Sequence, residues 1–170
     1  MVVLLTNRKS KYEKEIIEIL KNYGANHISD KFITENKNNF TIISVYKKTD
    51  ITLNRGIAVF TEKSNRLKHQ SLPIGVIGIC EDNNEIGLET FKINHNAVLT
   101  CGPGNKNTIT NSSISNNTIF LTIQRTIINQ NGEKIEPCEI KIELSKNFLP
   151  FSVMAAAAIL ILYGITPNKF

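Results

Sequence analysis

Four short apolar runs rich in β-branched residues do most to limit what this chain can become. They are Val2-Val3-Leu4-Leu5, Ile57-Ala58-Val59-Phe60, Ile74 to Cys80, and Ala97 to Thr100. A strand with one wet face alternates apolar and polar residues. The unbroken run to Cys80 instead fits a strand covered on both sides, as in a parallel sheet between layers of helices. The segments between the runs supply helices. Residues 10–23 place Ile16, Ile17, Ile19 and Leu20 inward with Lys and Glu outside, and Gly24 follows as a C-terminal stop. Phe40 to Tyr46 reads as a further strand, and Asp82 is positioned to cap a short helix over 83–93. The order β-α-β-β-β-α-β predicts an α/β fold with a mainly parallel sheet flanked by helices.

Past residue 103 the pattern changes. Residues 104–117 are rich in Asn, Thr, Ser and Lys around an expected edge strand, and Thr118 to Ile128 alternates. Asn131-Gly132 is a hairpin turn signal, and Ile135 to Leu144 alternates again. A small antiparallel β-hairpin unit is therefore expected near residues 106–145. An Ala-rich helix over 150–163, stopped by Gly164 and Pro167, closes the chain. Residues 1–170 read as one domain: an α/β part over 1–103, an antiparallel part over 104–147 and a closing helix over 148–166.

Composition narrows the function classes. With 170 residues and 41% hydrophobic side chains the chain can bury a core. Twenty basic against 15 acidic residues give a net charge of +5, spread along the chain without a dense block. There is no Trp and only 7% aromatic residues, which disfavours a base-stacking platform, so no nucleic-acid partner is expected. Cys80, Cys101 and Cys138 form no C-x-x-C pair and no disulfide framework. They read as reduced, buried side chains of a cytoplasmic protein, and no His motif offers a catalytic base beside them. The N-terminal apolar run is too short for a signal peptide. Phe148 to Ile165 is uncharged and nearly long enough to cross a bilayer, so a membrane anchor is an alternative for it. Pro150, Ser152, four consecutive alanines and the lack of a flanking basic cluster favour a buried helix and no membrane contact.

Four stretches in this order resemble the central, ATP-binding domain of the Mur ligases. Val2-Val3-Leu4-Leu5-Thr6-Asn7-Arg8-Lys9-Ser10 is similar to that family's strand and P-loop, whose core reads Thr-Asn-Gly-Lys-Thr. Gly56 to Glu62 is similar to a strand ending in Thr-Asn. Val76 to Asn83 is similar to one ending in Asn-x-Asp-Asp, and Val98 to Gly102 follows it. Ser152-Val153-Met154-Ala155-Ala156-Ala157-Ala158, ending at Tyr163-Gly164-Ile165, resembles the family's Asn-x-x-Ala-Ala-x-Ala helix. The resemblance implies a P-loop/Rossmann-like sheet with phosphate near Thr6, Asn7, Lys9 and Ser10. Lys9 would reach phosphate oxygens and Ser10 would hold Mg²⁺.

Departures from the pattern point away from catalysis. Arg8 and Leu5 stand where P-loop glycines allow close phosphate approach. Phe148-Leu149 stands in place of a His-Asn pair, Ser152 in place of the following Asn, and the short span from Thr61 to Pro73 leaves no room for the family's metal-supporting helix. His69 matches no family position. Glu81 and Asp82 lie at a strand end where ligands bind in α/β sheets. The ligases also carry a UDP-sugar domain before this one and an amino-acid domain after it. No catalytic residue, metal site or resident cofactor is expected, ATP and Mg²⁺ included. The expected role is a non-enzymatic binding or scaffold module, linked by resemblance to cell-wall precursor metabolism. Its partner would be an unidentified protein or an anionic small molecule. The alternatives are a nucleotide or UDP-sugar-phosphate binder that keeps an anion site at Lys9 and Ser10 of the degenerate P-loop, and one subunit of a split ligase.

Overall fold

A computed structural model describes residues 1–34, 40–115 and 117–170. Asn116, in the polar 104–117 segment, lies outside the described residues.

Seven strands run parallel: β1 (Val2–Leu5), β2 (Ala25–Ile28), β4 (Phe40–Val45), β5 (Gly56–Phe60), β6 (Val76–Glu81), β7 (Val98–Cys101) and β8 (Ile109–Ser115). Three antiparallel strands extend the same sheet: β3 (Ile33–Thr34) beside β2, then β9 (Thr118–Ile123) and β12 (Cys138–Glu143) beyond β8. The order across the sheet is β12-β9-β8-β7-β6-β5-β1-β4-β2-β3. Strand β1 lies between β4 and β5, so the order of connections reverses there, the switch point at which α/β sheets open a crevice at the carboxyl ends of their strands.

The apolar runs do bury both faces. Val2 and Leu4 of β1, Ile57 and Val59 of β5 and Ile79 of β6 face α1 (Lys11–Lys21) and α3 (Pro150–Leu162). Their alternates Val3, Leu5, Ala58, Phe60 and Cys80 pack with Phe91 of α2 (Glu85–Ile93) and with Leu67. Twelve of the 13 residues of α3 are buried, so the Ala-rich stretch is a core helix. Among the described residues no helix is long and apolar enough to cross a membrane.

Several boundaries differ from expectation. Asn84, not Asp82, caps α2, its side chain accepting the Gly87 N–H at 3.0 Å. Asp82 is drawn away by Asn107, whose Nδ2 donates to Asp82 Oδ2 at 2.8 Å. The expected strand over 118–128 breaks at Ile123. Ile127–Ile128 (β10) pairs instead with Lys134–Ile135 (β11) in a separate two-stranded ribbon. Its loop spans residues 129–133 rather than two residues. The Asn129 side chain accepts the N–H groups of Asn131 and Glu133, and Gly132 takes a positive φ of 84°. Strands β2 and β3, of four and two residues, are too short to show an alternating pattern. The run from Ile74 starts two residues late, at Val76, and leaves Ile74 77% exposed. Strands β8, β9 and β12 form the expected antiparallel unit as a continuation of the main sheet, where Ile109, Ile119, Leu121 and Ile142 share one core with α3.

Close packing on the α2 face rests on Gly78. A Cβ there would lie 2.7 Å from atoms of the Phe91 ring, which is fully buried and edge-on to Phe60 at 5.4 Å. Gly78→Ala should therefore cost about 1–3 kcal/mol through overpacking, read as a lower urea midpoint. An unchanged midpoint would show that Phe91 can move aside without loss.

Candidate functional site

The loop from Thr6 to Ser10 joins β1 to α1 at the switch point, where the expected phosphate residues fall. Thr6 is fully buried, and its hydroxyl pairs with that of Thr61 at 2.8 Å, tying the ends of β1 and β5 together. Asn7 Nδ2 donates to Glu62 Oε2 at 2.7 Å. The Ser10 N–H donates to the Asn7 carbonyl at 3.2 Å, closing a tight turn over Asn7–Ser10. Lys9 holds this turn with a left-handed φ of 68°, an unfavourable conformation for a side-chain-bearing residue. Positive φ therefore falls on Lys9 and not on Arg8, which stands at the glycine position of the resemblance.

Apart from Lys9, the loop's side chains have partners within the chain. The Ser10 hydroxyl is buried and accepts the Glu13 N–H at 3.2 Å as the N-cap of α1. Arg8 forms an ion pair with Asp30 and lies over the Tyr46 ring. Lys11 reaches Glu15 at 3.8 Å. Lys9 is exposed and has no ion pair among the described residues. A cavity of about 460 Å³ opens on the flank of α1, walled by Arg8, Lys14, Ile17, Phe32 and Tyr46. Its polar groups are partly paired: the Tyr46 hydroxyl donates to Glu13 at 2.8 Å. Burial and then this carboxylate push the Tyr46 phenol up to about 12.

The crevice beyond the loop is acidic. Burial raises the Tyr12 phenol, and the negative charges of Glu81, Glu62 and Glu15 raise it further. Burial and then Asp82 raise the Glu81 carboxyl, against the pull of Lys63. Glu15 makes a second, distant connection: its Oε2 accepts the Leu149 N–H at 2.8 Å. Leu149 is the N-cap of α3 and supplies no side-chain cap, so a carboxylate from α1 complements the positive end of α3. Phe148 packs against the core, and Ser152 is buried with no partner for its hydroxyl among the described residues. His69 sits in an exposed turn, 3.4 Å from Glu89. Among the described residues no group of three or more His, Cys, Asp or Glu side chains is arranged to hold a metal ion.

Of the cysteines, Cys80 and Cys101 are buried as expected, whereas Cys138 is exposed because β12 is the outer strand of the sheet. Burial pushes the Cys80 thiol up to about 12, helped by Glu81 and Asp82, and raises Cys101 well above the ordinary range. Neither favours a reactive thiolate.

Sequence reasoning placed the loop correctly but missed its partners Glu62, Asp30 and Glu15. It also missed a second cavity at the opposite end of the sheet. That cavity, about 610 Å³, lies between the amino-terminal halves of β5–β7 and the β10–β11 ribbon, with Arg55 and Arg125 in its wall. No local motif marks either arginine.

No protein-family model and no curated protein matches this chain. A solved structure does. The UDP-N-acetylmuramate:L-alanyl-gamma-D-glutamyl-meso-diaminopimelate ligase from Neisseria meningitides superposes with a TM-score of 0.59 at 10% identity. The match covers 99% of this chain and 62% of that one. At this identity the likeness is one of fold: a distant Mur-ligase-like α/β architecture.

Two measurements probe this end of the molecule. Replacing Ser10 with Ala removes the α1 cap and should cost about 1 kcal/mol, with Ser10→Asp restoring most of it; equal stability of all three proteins would show that the cap contributes nothing. A thiol reagent at neutral pH should modify only Cys138 of the three cysteines in the folded protein. Fast modification that persists in Cys138→Ser would contradict the burial of the other two.

Proposed function

We propose that this chain is a non-catalytic binding module on a Mur-ligase-like fold, and that the turn after β1 does not hold a nucleotide. The observation that carries this reading is how fully that turn is used by the fold itself. A phosphate cradle needs free backbone N–H groups, a free hydroxyl for Mg²⁺ and a positive field. Here the Ser10 N–H closes the turn and its hydroxyl caps α1. Asn7 is held by Glu62 and Arg8 by Asp30. The field points the wrong way too. Glu62 and Glu81 face the crevice around Tyr12, and Glu15 already occupies the N-terminus of α3. A triphosphate brought there would meet carboxylates at short range.

The ligase that shares the fold has a longer chain, and its activity is not carried over. A link to cell-wall precursors rests on the likeness of fold alone.

Titration of the isotope-labelled protein with ATP and Mg²⁺, and separately with a UDP-sugar, tests this reading. The expected result is no saturable change in the amide resonances of residues 6–12 at millimolar ligand. A saturable change there that Lys9→Ala abolishes would overturn it and establish a working phosphate site.

A further inference from the structure

We propose that the cavity at the amino-terminal end of the sheet is a binding site for a small organic anion, a carboxylate or phosphate carried on an apolar body. This rests on reading the chain as a binding module and gives that module a ligand class. The site lies at the opposite end of the strands from the β1–α1 turn and owes nothing to it.

Three observations converge. The first is shape: about 610 Å³ is ample for a small molecule, for which sites of roughly 300–1,000 Å³ are usual. The second is the character of the floor. Strands β6 and β7 are central strands, and in a sheet covered on both faces their apolar side chains should be sealed. Ile77 is instead only partly buried, and it lines the cavity with buried Leu99 on the α3 side of the sheet, whereas the Val98 side chain packs on the α2 side. Across from them the ribbon adds Ile127 and Ile128, the latter 59% exposed. An apolar body laid between these walls would remove that surface from water.

The third observation is charge. The described lining includes Arg55 and Arg125 but no Asp or Glu. Among the described residues neither arginine is in an ion pair. Each shows one hydrogen bond, to a backbone carbonyl: Arg55 Nη1 to Gln130 at 3.4 Å and Arg125 Nη2 to Lys106 at 2.8 Å. A guanidinium has five N–H donors, so most of the fork on each side remains for an anion. Two carboxylates outside the lining each accept a hydrogen bond from a neutral lining residue and pair with neither arginine. Glu136 accepts from the Thr126 hydroxyl at 2.9 Å, and Glu133 accepts from Asn129 Nδ2 at 2.6 Å. The Gln130 N–H bond to the Leu162 carbonyl, 2.8 Å, ties the ribbon to the end of α3, so the far wall is held in place without ligand. A preformed wall lowers the ordering cost of binding.

Arginine pairs of this kind suit planar or tetrahedral oxyanions, and the apolar floor selects against inorganic ions that have no body to bury. The test is amide-resonance titration of the whole chain with three probes: phenylpropionate, phenyl phosphate and inorganic phosphate. Saturable shifts are expected at Ile77, Leu99, Thr108 and Arg125–Gln130 with one or both aryl anions, and the better aryl probe identifies the anion class. Inorganic phosphate should bind at least about tenfold more weakly than the better aryl anion. The double variant Arg55→Gln, Arg125→Gln should weaken aryl-anion binding about tenfold or more at an unchanged urea midpoint. Ala97→Phe, which fills the cavity while leaving both arginines, should also weaken it. The proposal is overturned if no probe gives saturable shifts there, if the double variant binds as the parent does, or if inorganic phosphate binds as well as the aryl anions. Shifts at residues 6–12 with nucleotide would instead count against the reading under Proposed function, so the two failures are separable.

Discussion

Burial of α3 is the constraint on which the rest of this structure depends. A helix that is apolar on every side must be enclosed, because no face of it can meet water without loss. Twelve of its 13 residues are buried, and Ala155 to Ala158 are all fully so. Enclosure needs more than the parallel strands. The face of β1, β5 and β6 forms one side, α1 the next, and Ile109, Ile119, Leu121 and Ile142 of the antiparallel strands share the same core. The C-terminal tail completes it: the Phe170 N–H donates to Glu143 O at 2.7 Å, and its ring is 2% exposed. This is why the antiparallel strands continue the main sheet.

Both ends of that helix recruit distant groups. At its start, Leu149 has no capping side chain and Pro150 has no N–H, so the Glu15 carboxylate from α1 satisfies the exposed end. At its finish, the Leu162 carbonyl accepts the Gln130 N–H and draws the ribbon in. The first contact puts a negative charge at the carboxyl end of the sheet. The second positions one wall of an arginine-bearing cavity at the amino end. The same requirement, satisfying a buried helix, therefore makes one end of the sheet less welcoming to anions and shapes the other.

The likeness to a ligase of 10% identity fits this picture without fixing a function. The sheet, its switch point and its buried helix form a framework on which unrelated sites can be built. In this chain the turn after β1 is short, capped and internally bonded, and the space left open lies elsewhere.

Local patterning dictates which segments are buried and in what form. Unbroken apolar runs required strands with two covered faces, the spacing of Ile16, Ile17, Ile19 and Leu20 required a one-sided helix, and an uncharged Ala-rich stretch required enclosure. These are local properties, because periodicity and hydrophobicity act within a few residues. The place of the turn at Thr6–Ser10 was legible for the same reason. What its side chains do was not. Asn7 meets Glu62 across 55 positions, and Glu15 meets Leu149 across 134. Asp82 precedes a helix and on local grounds would cap it, yet Asn107, 25 positions on, takes its carboxylate. Arg55 and Arg125 carry no motif and come to one cavity only because the segment before β5 and the ribbon meet at the same end of the sheet, where Arg55 bonds the Gln130 carbonyl. Such pairings arise only when folding brings remote segments together, and no local pattern encodes them.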